Sequence, residues 1–116
     1  MIVIRSETAS DFDAIRHVNR AAVESDAEAN LIDALWDGGY VEVSLVAEVD
    51  GEVVGHILFS RLPIVTEGGT VDALSLAPMA VLPSHQRQGI GSRLVEAGLE
   101  ACREKGYKIV VVLGHP

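Results

Sequence analysis

The 116 residues are 48% hydrophobic and 22% charged, which fits one folded domain over 1–116 and argues against a disordered or fibrous chain. The formal net charge of −8 argues against nonspecific nucleic-acid binding, because phosphate backbones need a basic face. No apolar run approaches the roughly 18 residues needed to span a bilayer, and the N-terminus lacks a signal-peptide pattern. The single Cys102 fits a reducing compartment. The expectation is a cytoplasmic protein without a membrane partner.

Ile2 to Arg5 reads as a short strand that starts directly at the N-terminus. Thr8 or Ser10 can cap a helix, with Asp11 and Asp13 at its positive end. Phe12, Ile15, Val18 and Ala22 recur at helical spacing to about Val23. Ser25 or Asp26 opens a second helix with Ala27, Leu31, Ala34 and Leu35 on its apolar face, and Gly38-Gly39 stops it. Trp36 at its end reads as a core or rim anchor. From Val43 the period becomes that of strands. Asp50-Gly51 between two β-rich runs signals a hairpin, and Gly55 in the second run signals a bulge or a close backbone approach. Ile64-Val65 and Glu67-Gly68-Gly69-Thr70 read as a strand end and turn. Val71 to Val81 reads as one long strand interrupted at Ala77-Pro78, since proline cannot donate to a ladder. That interruption leaves backbone groups near Met79 and Ala80 available to something other than the neighbouring strand. A helix runs from about Gly89 to Lys105 and stops at Gly106. Tyr107 to Leu113 is nearly all apolar and reads as a strand buried on both faces.

Charge is unevenly distributed: 14 acids face four Lys/Arg up to residue 79, and three acids face five Lys/Arg beyond it. The passage into the last helix, Ser84-His85-Gln86-Arg87-Gln88-Gly89-Ile90-Gly91-Ser92, carries the clearest chemistry. Helix N-termini present unpaired N–H groups and the positive end of the macrodipole, and two glycines let a ligand approach closely. Arg87 and Arg93 add charge nearby. This is a place for a phosphate or pyrophosphate, hence a phosphorylated cofactor.

Gln86-Arg87-Gln88-Gly89-Ile90-Gly91 resembles the Gln/Arg-x-x-Gly-x-Gly/Ala signature of the Gcn5-related N-acetyltransferases. Leu76 to Pro83 is similar to that family's splayed strand, and the order of elements resembles it over the whole chain. The resemblance implies an α/β (α+β) acyl-CoA N-acyltransferase fold, a mixed, centrally splayed β-sheet flanked by helices. It implies transfer of an acetyl group from acetyl-CoA to an amine by direct attack on the thioester. Backbone groups of Gln86, Arg87, Gln88, Gly89, Ile90, Gly91 and Ser92 would hold the pyrophosphate. Main-chain groups of Met79, Ala80 and Val81 would pair with the pantetheine arm, and the thioester carbonyl would sit near the Ala80 and Val81 amides. Family members usually continue past the fifth strand with a helix, often bearing a tyrosine acid, and two further strands. This sequence ends at Pro116, so the resemblance implies that those elements are lacking. The last strand would then keep a bare edge, which leaves a homodimer open.

Asp72 and His56 are the candidates to relay an amine proton through water. Strand polar groups more commonly just face solvent. His85 reads as packing or capping, and the four histidines show no metal spacing, so no metal is expected. Cys102 sits at helical spacing with Ala97, Gly98 and Ala101 and reads as core. The alternative to an enzyme is a non-catalytic acyl-CoA-binding module of the same fold. A Rossmann domain is disfavoured by the absent third glycine, and a P-loop by the absent Gly-Lys-Ser/Thr.

Overall fold

The computed structural model describes residues 1–23 and 26–112. Strand β1 (Ile2–Ser6) leads through a short 3-10 turn into helix α1 (Phe12–Val23) and then α2 (Ala27–Asp37). Strands β2 (Val41–Val49) and β3 (Glu52–Arg61) follow, then a small hairpin of β4 (Ile64–Thr66) and β5 (Gly69–Val71). The chain ends its described part with β6 (Leu74–Val81), α3 (Ile90–Glu104) and β7 (Val110–Val112). The main sheet has the order β1-β2-β3-β6-β7, with only β6 and β7 parallel.

Turn chemistry sets the hairpin. Asp50 and Gly51 both take positive φ, 51° and 83°, as a two-residue type I′ turn requires. Gly55 meets both expectations at once. The β2–β3 register shifts between Ala47 and Glu48, beside it, and a Cβ on Gly55 would lie 3.1 Å from Leu94 and 3.3 Å from Ile90. Helix α3 therefore lies almost on the backbone of β3. Gly98 makes a second socket, where a Cβ would fall 2.3 Å from the fully buried Phe59 ring. On the opposite face, Leu58 and Val46 pack against Ile15 of α1 and Ile32 of α2. The sheet is thus covered on both faces, with residues 55, 57 and 59 of β3 toward α3 and residues 56 and 58 toward α1 and α2.

The entry to α1 is tied down by charge. Asp11 accepts from the Thr8 N–H at 2.7 Å and from both Arg5 Nη atoms at 2.7 and 2.9 Å. Arg5 also reaches Glu48 through Nε at 2.6 Å. The Arg5 guanidinium first, and the Thr8 N–H second, hold the Asp11 carboxyl well below the usual carboxylate range.

Two expectations are corrected. The run 71–81 is not one strand: β5 ends at Val71 and β6 begins at Leu74. Residues 69–71 pair instead with β4 as a separate two-stranded sheet. Of the Tyr107–Leu113 run, only Val110–Val112 is strand among the described residues, beside β6 in the described sheet and with Val112 65% exposed. Asp26 opens α2 from the N-cap position, as the sequence suggests, with its carboxylate paired to Arg20 at 2.7 Å rather than capping the helix. Ser25, Leu113, Gly114, His115 and Pro116 lie outside the described residues.

Candidate functional site

The site lies where β6 passes into α3. A 3-10 turn over Pro83–His85 follows β6, and the chain then takes positive φ at Arg87 (65°) and Gly89 (81°). Left-handed residues at these steps turn successive N–H groups toward one side, the geometry of an anion nest. Gly89 is the N-cap of α3 without a side-chain cap. Arg93 N–H donates to the Gly89 carbonyl at 3.1 Å, so the amides of Ile90, Gly91 and Ser92 precede the first helical bond. A Cβ on Gly91 would meet nothing nearer than Met79 Cε at 3.8 Å and Val81 Cγ2 at 4.0 Å. The glycine therefore leaves open the corner between helix start and strand edge.

That strand edge has a definite polarity. Leu82 N–H donates to the Val54 carbonyl at 2.8 Å, while Gly55, His56 and Ile57 oppose Val81, Ala80 and Met79. Antiparallel pairs alternate between hydrogen-bonded and non-hydrogen-bonded. Ala80 and Leu82 thus turn their backbone groups toward β3, and Met79 and Val81 turn theirs away from it. Lower on β6 the parity is reversed, since Leu74 N–H faces outward and donates to the Ile109 carbonyl on the β7 side at 3.0 Å. The reversal occurs at Ala77-Pro78, where two residues of β6 oppose the single Leu58 as the register shifts between Ile57 and Phe59. Described pairing with β7 covers only Leu74 to Leu76. Above it, Met79 and Val81 present an outward edge leading straight to the amides of Gly89 to Ser92.

The resulting cleft is open, about 580 Å³, and lined by Met79, Val81, His85, Gln86, Arg87, Gly89, Ile90, Gly91, Ser92, Val95 and Glu96. Eight of the ten residues read from the sequence as cofactor-contacting line it. Ala80 and Gln88 do not, and for Ala80 the reason is the strand alternation just described. Gln86 has a further part that its sequence position does not reveal: its Nε2 donates to the Val81 carbonyl at 2.9 Å, tying the loop to the strand edge. His85 is held by Ser84, with Nδ1 2.8 Å from the hydroxyl.

The two candidate bases are not brought to this cleft. His56 is completely buried on the α1 face, between Ser44 Oγ at 3.0 Å and Asn19 Nδ2 at 3.2 Å. Burial pushes its pKa down to about 3, so it is a neutral core imidazole that does not line the cleft. Asp72 lies before β6 at the other end of the sheet, beside Tyr107 and Lys105. Seven residues of extended chain separate it from Met79, about 20 Å at the usual strand rise. Cys102 is buried, and burial raises its thiol pKa to about 11, so it is core rather than nucleophile. Among the described residues no group of three or more His, Cys, Asp or Glu could hold a metal ion, and no helix is long and apolar enough to cross a membrane.

Residues 9–115 match the family described as "Acetyltransferase (GNAT) family". The chain is 38% identical over 116 residues to an uncharacterized N-acetyltransferase, YhbS, of Escherichia coli, covering 99% of this chain and 68% of that protein. Its structure superposes on a GNAT family acetyltransferase from Brucella melitensis in complex with acetyl-CoA, with a TM-score of 0.90 and 37% identity, over 100% of this chain and 77% of that one. The crystal structure of E. coli YhbS in complex with CoA gives a TM-score of 0.89 at 38% identity, covering 99% of this chain and 63% of that one.

Proposed function

The chain belongs to the acetyltransferase (GNAT) family, and from that premise we propose that it is an acetyl-CoA-dependent N-acetyltransferase acting on a primary amine of a small molecule, peptide or protein. The observation that carries this reading is the junction of two backbone surfaces. The outward edge at Met79 and Val81 can pair with the amides of a pantetheine arm as an added strand does. The amides of Gly89 to Ser92, at the positive end of α3, suit the pyrophosphate that follows it. Gly91 leaves room for the bend between the two. The relatives from B. melitensis and E. coli, which bind acetyl-CoA and CoA, support the same ligand here.

In this reading the amine nitrogen attacks the thioester carbonyl carbon, the C–N bond forms, and the C–S bond breaks with departure of the CoA thiolate. The carbonyl oxygen gains negative charge in the transition state, and an outward N–H of β6 is the donor placed to stabilise it. Val81 fits this role and Ala80 does not, because the Ala80 N–H faces β3. The proton lost by nitrogen and the one gained by sulfur exchange with solvent in the open cleft, and neither Asp72 nor His56 takes part. A single domain over 1–116 and a cytoplasmic location belong to the same proposal.

The test is free-thiol release from acetyl-CoA on addition of polyamines, amino sugars and peptide N-termini. Turnover that needs both amine and protein, with an acetylated amine detected by mass, supports the proposal. Tight acetyl-CoA binding without thiol release from any amine would favour a sensing module of the same fold.

A further inference from the structure

Residues 82–89 join the strand edge to α3, and the body of the protein holds both ends of this loop. At its start, Leu82 N–H donates to the Val54 carbonyl of β3 at 2.8 Å. At its end, Ile90 is 1% exposed and packs over Gly55, so the first turn of α3 is fixed by its contacts with the sheet. Between these points the backbone bonds are local. His85 N–H donates to the Leu82 carbonyl at 2.8 Å, and Gln86 N–H to the Pro83 carbonyl at 3.4 Å. Among the described residues, one hydrogen bond runs from residues 83–89 back to β6, and the Gln86 side chain makes it. Its partner, the Val81 carbonyl, can only accept, so the amide nitrogen faces it, at 2.9 Å. Val81 turns that carbonyl away from β3, toward the cleft.

The tie moves the last anchored point of the loop from Leu82 to Gln86. Only Arg87 and Gln88 then separate it from Gly89, the N-cap of α3. Arg87 takes φ 65°, a left-handed conformation that a residue with a side chain adopts rarely and keeps only where its surroundings impose it. The other non-glycine residue at positive φ among the described ones is Asp50, at 51°, and the β2–β3 ladder imposes it there. For Arg87 the two fixed points are Gln86 and Gly89. With Gln86 untied, a longer link spans the same gap, and more conformations of Arg87 become open to it. The consequence falls on the anion site, because the left-handed steps at Arg87 and Gly89 are what turn the N–H groups of the loop to one side.

We infer that Gln86 is a positioning residue for the anion site: its side chain, tied to the Val81 carbonyl, holds Arg87 left-handed and so aims the amides of the loop at the phosphates. For its effect on binding the inference rests on the acetyl-CoA reading of the cleft; the conformation of Arg87 is a property of the free protein. Gln86 is exposed, so Gln86→Met, which keeps the length and loses the donor, folds and melts within about 2 °C of the wild type. NMR of the free proteins reads the loop through the intraresidue HN–Hα cross-peak of Arg87, strong in a left-handed residue because the two protons are close. That cross-peak is strong in the wild type and weakens in Gln86→Met. Titrations then compare acetyl-CoA, adenosine diphosphate and acetylpantetheine, which lacks the phosphates. In Gln86→Met the first two affinities fall together, about fivefold, the size of one net hydrogen bond. The affinity for acetylpantetheine stays within about 1.5-fold. Gln86→Asn, the same amide on a side chain one methylene shorter, behaves as Gln86→Met. An undiminished Arg87 cross-peak in Gln86→Met overturns the inference whatever the affinities do, and a side chain that only touched ligand would give that result. An equal loss for all three ligands also overturns it, as does a weakened cross-peak with unchanged affinity for adenosine diphosphate. A wild type that binds none of the three overturns the acetyl-CoA reading instead, and the cross-peak still decides whether Gln86 holds the loop.

Discussion

Replacing Gly91 separates what the fold needs from what the ligand needs. Gly91 is the second residue of α3, and a Cβ there stands 3.8 Å from Met79 Cε and 4.0 Å from Val81 Cγ2, ordinary contact distances. The protein therefore has room for alanine. Alanine in place of glycine in a helix gains up to about 1 kcal/mol, which for a domain of this size raises the melting temperature by about 4 °C. The ligand has no such room, because the same Cβ stands where pyrophosphate oxygens approach the amides of Ile90 to Ser92. Hydrogen bonds to a charged group contribute about 1.5–3 kcal/mol each; losing two lowers affinity by about 10²- to 10⁴-fold. Gly91→Val, which enlarges the obstruction and forgoes the helix gain, should melt near the wild type and bind worst. Calorimetric titration with acetyl-CoA and with adenosine diphosphate, beside a thermal melt, gives both signs in one set of samples. A stable Gly91→Val protein with unchanged affinity for both ligands refutes the pyrophosphate assignment.

Pro78→Val restores an N–H at the bulge and removes a reason for the parity change between Leu76 and Met79. Acetyl-CoA affinity should drop about tenfold with adenosine diphosphate within twofold, as loss of one or two backbone hydrogen bonds implies; equal losses in calorimetry would show no specific role for the proline. Asp11→Asn should cost about 1.5–3 kcal/mol at pH 7, the range for hydrogen bonds to charged groups. Because the folded Asp11 carboxyl is held below its unfolded value, its stabilisation is fully present above about pH 5 and is lost as pH falls through the acidic range. Melts at pH 7 and pH 3 should show the difference between wild type and variant shrinking at pH 3. Gly98→Ala should destabilise by about 1–3 kcal/mol although alanine is the better helix former, because overpacking against Phe59 outweighs propensity. Its cofactor affinity should not change, which a melt and a titration check together.

Much of this architecture is written in local chemistry. Asp50-Gly51 has the residues a type I′ turn demands, Gly106 takes the left-handed conformation (φ 92°) just past α3, and Gly55 announces the seat of a helix. The anion-facing loop is legible for the same reason, since unpaired amides at a glycine-led helix start follow from sequence position alone. What was not legible depends on packing between distant segments. His56 and Asp72 are both polar residues near strand residues, and nothing local separates them. Docking of Asn19 and Ser44 encloses one, and the turn from β5 to β6 carries the other to the far end of the sheet. The proline in β6 signalled a disturbed ladder. Which residues then face outward depends on the register with β3, so the sequence alone does not separate Ala80 from Met79 and Val81.

The central claim is that acetyl-CoA lies along Met79 and Val81 and turns onto the amides of Gly89 to Ser92. Titration of ¹⁵N-labelled protein with acetyl-CoA tests it amide by amide. The account predicts saturable shifts at Met79, Val81 and Gly89 through Ser92, small ones at Ala80 and Leu82, and none around Asp72 and Tyr107. Shifts of Ala80 and Leu82 as large as those of Met79 and Val81, or shifts centred on Asp72 and Tyr107, would contradict it.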